Sequence, residues 1–154
     1  MTLPQLSSTI TNWILDTFNI VRARLILLLS NISYKIHFSF DLWTSPNHRS
    51  FPVLVAHWVS SEGNLVAATL GFQRLQGPHS GANQADLIWK ILEAYQLTEK
   101  LGYFTMDNAS NNDTTLAKIQ RLSHIKGIKF NASDRQVRCF GHIINLVVKA
   151  FLWG

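Results

Sequence analysis

Residues 35–45, K-I-H-F-S-F-D-L-W-T-S, constrain this chain more than any other stretch. Ile36, Phe38 and Phe40 alternate with Lys35, His37, Ser39 and Asp41, the period of a strand with one apolar and one polar face. The turn residues of Trp43-Thr44-Ser45-Pro46-Asn47 follow, so Asp41 is expected at the carboxyl end of the strand. Open α/β sheets gather their ligands at that end, although a strand-end Asp that merely opens a turn competes with this reading. A second acid in the same setting shifts the balance. Residues 101–106, L-G-Y-F-T-M, read as a short buried strand and run straight into Asp107, followed by the turn formers and helix caps N-A-S-N-N-D.

Between the two acids the pattern is that of one mixed sheet. Residues 51–59 are almost continuously apolar, as in a strand covered on both faces. S-S-E-G-N at 60–64 has hairpin-turn composition, and residues 65–72 form the return strand. A helix capped by Ser80 or Asn83 is expected to run to about residue 97, with Ala85, Ile88, Leu92 and Tyr95 on one face. A right-handed crossover then makes the 101–106 strand parallel to the first. A further helix to about residue 123, a polar basic loop at 124–136, a short strand at 137–139 and an apolar-faced helix from Phe140 complete the reading. Asp113 is expected to cap the helix after Asp107. At the other terminus, Ser7 or Ser8 can cap a helix running to about residue 29. The organisation expected is a helix within 1–33 that packs on the core, and a mixed α/β sheet domain at 34–154: a three-strand meander, then a parallel strand, with flanking helices.

A chain of 154 residues, 47% hydrophobic and only 15% charged, suits one folded domain rather than disorder. Its net charge of +5 is concentrated late. After residue 113, Lys118, Arg121, Lys126, Lys129, Arg135, Arg138 and Lys149 face Asp134 as the lone acid, the footprint of a polyanion partner or of a solvated basic surface. The apolar run at 25–29 is far short of the roughly 20 residues that span a bilayer, so no membrane partner is expected. A single cysteine excludes an internal disulfide framework and a four-cysteine zinc site.

Two converging carboxylates about 4 Å apart repel by roughly 1 kcal/mol in water and about 4 kcal/mol near a protein surface, and usually hold a proton or a divalent cation. With oxygen-only ligands that cation is Mg²⁺ or Mn²⁺. Two such ions bridged by carboxylate can activate water or a 3′-hydroxyl for phosphodiester cleavage. Trp43 can stack on a base or close a core edge. Glu93 is the internal candidate for a third acid, against a solvated helix glutamate paired with a neighbour such as Lys90.

The motifs K-I-H-F-S-F-D-L-W-T-S-P-N, A-H-W-V-S-S-E-G, Y-F-T-M-D-N-A-S-N-N-D and R-C-F-G-H-I-I-N-L-V-V-K-A-F-L-W-G, in this order from about residue 9 to 154, resemble the hAT-superfamily DNA transposases, especially the fungal type. The resemblance implies an RNase H-like catalytic core that cuts and pastes DNA in the nucleus with an Asp-Asp-Glu triad and Mg²⁺ (or Mn²⁺). Asp41 and Asp107 map onto the first and second catalytic, metal-holding acids. Transposon-end DNA is the implied partner, and a homo-oligomer is compatible with it. Cys139 and His142 match a C-x-x-H motif tied to transposon-end handling. With Trp43, Arg121, Lys126, Lys129, Arg135 and Arg138 they form the nucleic-acid-binding set.

Three family features are missing from the sequence: the third carboxylate, which follows a helical insertion, the paired Cys and His of an N-terminal BED finger, and a C-terminal dimerisation region. The expectation is therefore a core truncated before the insertion, a remnant or fragment inactive alone. The alternative is a non-catalytic module that binds nucleic acid or a protein partner.

Overall fold

The computed structural model describes residues 7–47 and 49–153. The chain divides between Ser33 and Tyr34 into two compact units. The first contains a single helix, α1 (Ser7–Ser30). It closes with Ser30 Oγ donating to Leu27 O at 2.8 Å and Asn31 N–H donating to Leu28 O at 3.3 Å. The side chain of Ser7, one of its two expected caps, lies outside the described residues.

The second unit is an α/β domain with strands β1 (Ile36–Thr44), β2 (Ser50–Val59), β3 (Leu65–Phe72), β4 (Leu101–Met106) and β5 (Gln136–Arg138). Helices α2 (Gly81–Ala94) and α3 (Asn111–Ile125), the one-turn α4 (Ala132–Arg135) and α5 (Phe140–Trp153) complete it. The five strands form one sheet in the order β3-β2-β1-β4-β5. The β1–β2 and β2–β3 ladders are antiparallel, and β4 pairs parallel with both β1 and β5. This is the expected meander followed by a crossover.

Alternation divides the sheet into two faces. Ile36, Phe38, Phe40, Leu54, Ala56, Trp58, Phe104 and Met106 are buried, and so are Ala85, Ile88 and Leu92 of α2 and Leu116 and Ile119 of α3. Phe104 stacks on Phe38 with ring centroids 5.0 Å apart and meets the edge of Phe130 at 5.8 Å. Gly71 lets α2 close on β3, because a Cβ there would stand 2.5 Å from Ile91 Cδ1. The other face carries His37, Ser39, Asp41 and Trp43 of β1, all exposed or half-buried.

Several expectations need correction. β1 runs three residues past Asp41, because Trp43 and Thr44 still pair with Phe51 and Ser50; Trp43 and Thr44 are strand rather than turn. The turn itself is closed by Ser45 N–H donating to Arg49 O at 2.8 Å. α2 stops at Ala94, not near residue 97. Leu97 N–H bonds back to Leu92 O, Gln96 N–H bonds to Glu93 O, and Gln96 sits at φ 58°. This αL stop tucks Leu97 into the core at 1% exposure. The same device, with Gly127 at φ 71°, ends α3 at Ile125. The segment expected as loop at 124–136 therefore holds the end of α3 and all of α4. Asp113 is no cap. It lies inside the first turn of α3 and accepts from Gln136 Nε2 at 2.9 Å.

Candidate functional site

The parallel ladder sets the geometry of the two aspartates. Its last pair is Ser39 with Thr105, an offset of 66 positions; Asp41 and Asp107 each follow two residues beyond that pair, with the same 66 positions between them. Alternation puts Asp41 on the face of Ser39, while Asp107 follows directly on the last residue of β4; neighbouring strands lie about 4.8 Å apart. Asp41 is thus internal to β1 but still at the end of the parallel pair, since β4 stops at Met106.

Each carboxylate is held locally. Asp41 is exposed, and its Oδ1 accepts from Leu42 N–H at 2.9 Å. Asp107 is half-buried; its Oδ1 accepts from Ala109 N–H at 3.1 Å and from Asn112 Nδ2 at 2.6 Å. Asn112 Nδ2 also reaches Asp107 O at 2.9 Å, and the Asn112 side chain is 4% exposed. These donors are neutral, and among the described residues neither carboxylate is in a salt bridge. Beside them, Asn108 Oδ1 is buried without a hydrogen-bond partner among the described residues.

The helices around the pair are locked at their first turns. Gly81 abuts the start of α3 so closely that a Cβ would meet Asn111 O at 2.3 Å. Buried Thr115 Oγ1 lies 3.1 Å from Gly81 O and 3.2 Å from Gln84 Oε1. α2 begins beside α3 and ends just before β4, so Glu93 belongs to the opposite end of the sheet. There it accepts from Trp89 Nε1 at 3.0 Å and pairs with Lys126 at 2.7 Å, not with Lys90. The hydrogen bond from the Lys126 ammonium holds the Glu93 carboxyl below the usual carboxylate range. Glu93 therefore does not join Asp41 and Asp107, and among the described residues no three His, Cys, Asp or Glu side chains gather as a metal-holding group.

The expected nucleic-acid residues are dispersed. Trp43 is 55% exposed and begins a row across the open face, 5.9 Å from Phe51, which stacks on Phe72 at 5.6 Å. Arg138 pairs in register with Met106, next to Asp107, and is exposed. Cys139 N–H donates to Met106 O at 2.7 Å; Cys139 and His142 are half-buried. Arg135 lies over the Tyr103 ring at 5.0 Å. Arg121 and Lys129 are exposed, and Lys126, over the Trp89 ring at 5.7 Å, sits beyond the far end of α3. At about 1.5 Å per residue, Arg121 lies about 15 Å and Lys126 about 22 Å along the axis from the start of α3. Sequence reasoning missed Asn112, Ser50 and His79, the polar residues that brace this end. The dense asparagines after Asp107 were the available signal for the first of them.

A mixed sheet in this order, with an acid on the central strand and another directly after its parallel neighbour, defines an RNase H-like domain. The family model described as the ZBED1 RNase-like domain matches residues 39–133, more than half of the chain, and the chain belongs to that family. It is similar to a protein of Talaromyces stipitatus provisionally named transcriptional regulator tpeD, with 28% identity over 86% of this chain and 16% of that protein. A Zea mays protein provisionally named AC transposase is 26% identical over 92% of this chain and 18% of its own length. Zinc finger BED domain-containing protein RICESLEEPER 2 of Oryza sativa subsp. japonica is 25% identical over 83% of this chain and 18% of that protein. The chain is thus related to the hAT transposases, and it spans less than a fifth of the length of these relatives.

Proposed function

We propose that Asp41 and Asp107 form the paired-carboxylate part of a hAT transposase core that holds Mg²⁺ or Mn²⁺ against a DNA phosphodiester. The observation that supports this reading is the parallel β1–β4 register of 66 positions, which ends at Ser39 and Thr105, two residues before each aspartate. The donor set suits a hard divalent ion. Every candidate ligand is oxygen, both hydrogen bonds to the Asp107 carboxylate fall on Oδ1, and the orphaned Asn108 Oδ1 lies next in the chain. When bound, such an ion acts as a Lewis acid on phosphoryl oxygen. Ala109 N–H and Asn112 fix one oxygen of Asp107, Trp43 offers an exposed ring for an unpaired base, and Arg138 brings positive charge beside the acids. Two carboxylates leave most of the ion's coordination to water, so binding is weak and strand transfer by this chain alone is negligible. The nucleus is the compartment in which such a protein meets its DNA.

Mn²⁺ titration followed by electron paramagnetic resonance tests the site. Asp41→Asn is expected to weaken binding at least about tenfold, the scale on which even residues outside the first shell affect metal sites; affinity equal to wild type sinks the reading. A second reading, a non-catalytic DNA-binding module, is favoured by the absence of a third acid beside the pair among the described residues. It predicts DNA affinity that falls linearly with salt on logarithmic axes and does not change with Asp41→Asn.

A further inference from the structure

Residues 75–80 cross from β3 to α2 past the end of the sheet that bears the two aspartates, and they are tied down at several points. Leu75 N–H donates to Ser50 O at 2.8 Å, and Asn83 Nδ2 donates to Pro78 O at 2.9 Å. His79 makes two further ties in opposite directions. Its Nδ1 lies 3.3 Å from Ser50 Oγ, and its carbonyl accepts from Asn111 Nδ2 at 2.9 Å. Ser50 is 1% exposed, and its hydroxyl also meets Thr44 Oγ1 at 3.1 Å. A continuous polar path therefore runs from Thr44, three residues past Asp41, through Ser50 and His79 to Asn111. The next residue, Asn112, grips Asp107. No other described side chain makes this link, and nothing in the sequence pattern around His79 announces it.

We propose that His79 is a positioning residue. Its imidazole and carbonyl clasp the end of the β1–β2 pair to the first turn of α3, and this fixes the separation of Asp41 and Asp107. The two aspartates sit on segments whose shared ladder ends at Ser39 and Thr105, so beyond that point no direct pairing of β1 with β4 sets their spacing and ties through neighbouring segments contribute to it. A divalent ion tolerates little error in that spacing, and residues that orient ligands without touching the ion influence affinity strongly. The inference rests on the paired aspartates being a cation site. His79 itself is exposed, so its replacement leaves the core intact.

The test uses the full chain and Mn²⁺ alone, with melting temperature measured alongside. His79→Ala is expected to weaken Mn²⁺ binding about three- to tenfold, less than loss of a direct orienting partner. His79→Asn places an amide near the position of Nδ1 and restores affinity to within about twofold, whereas His79→Gln reaches the wrong point and behaves like alanine. Wild-type affinity in His79→Ala while Asp41→Asn loses binding overturns the clasp and leaves the cation site standing. Equal losses in His79→Asn and His79→Ala also overturn it, because the effect would then not depend on an Nδ1-like group. If Asp41→Asn and His79→Ala both bind as wild type, the cation reading falls and the clasp falls with it.

Discussion

At one end of the domain Asp107 is held by neutral donors, Ala109 N–H and the buried Asn112 carboxamide, and it follows the strand that pairs with the Asp41 strand. At the other end Glu93 rests against the Lys126 ammonium at 2.7 Å and a Trp89 N–H at 3.0 Å. Both carboxylates are hydrogen-bonded, but among the described residues only Glu93 has a cationic partner. A charge that is oriented and left uncancelled is available to a cation from outside. One paired with a lysine is already satisfied and contributes mainly to the surface. The domain therefore separates acid that can bind from acid that braces, by about the length of α2.

The two ends share one core, and the sharpest way to break the comparison is to show that they do not. Phe104→Ala removes a fully buried ring that touches Phe38 and Phe130. It is expected to cost about 3–5 kcal/mol in denaturant unfolding. Amide protection around Asn112 and around Trp89 should fall together; loss at one end alone would mean two separate cores.

Gly81→Ala separates the ends more finely. Its new Cβ would press on the Asn111 and Thr115 backbones, 2.3 Å and 2.9 Å away, which cannot rotate aside. About 1–3 kcal/mol of destabilisation is expected. Chemical-shift changes should concentrate at the start of α3 and spare the Glu93–Lys126 pair, and the opposite distribution would contradict the placement of α2.

The smallest effect belongs to Glu93→Gln, a few tenths of a kcal/mol at neutral pH for an exposed ion pair. Lys126 lowers the folded-state pKa of Glu93, so the contribution is complete above the unfolded value of about 4.3 and fades as pH falls through the lower folded value. Stability curves of variant and wild type should therefore converge on acidification, and also at high salt. A gap that persists at low pH would assign the effect to the Trp89 hydrogen bond instead of to charge.

The strands and their two faces were legible because alternation is a local property. Ile36, Phe38 and Phe40 declare a buried face whatever they pack against, and the apolar spacing of Ala85, Ile88 and Leu92 does the same for a helix. The helix ends were read less well. The αL stop at Gln96 lies on a residue that carries no glycine signal, while Gly127, which did carry one, lay inside a stretch read as loop. The basic late segment was legible as composition only. Arg135 over Tyr103 and Lys126 against Glu93 are pairings between residues more than thirty positions apart.

By itself the sequence determined that the first and fourth strands would pair in parallel with an acid near the end of that pairing, because residue period and crossover handedness follow from backbone geometry. Tertiary structure alone decided that β1 and β4 pair at a register of 66 positions, that Glu93 lies at the opposite end, and that Asn112, Ser50 and His79 tie the acid end together. Register and side-chain ties depend on contacts between distant segments, and these exist only once the core has brought the segments side by side.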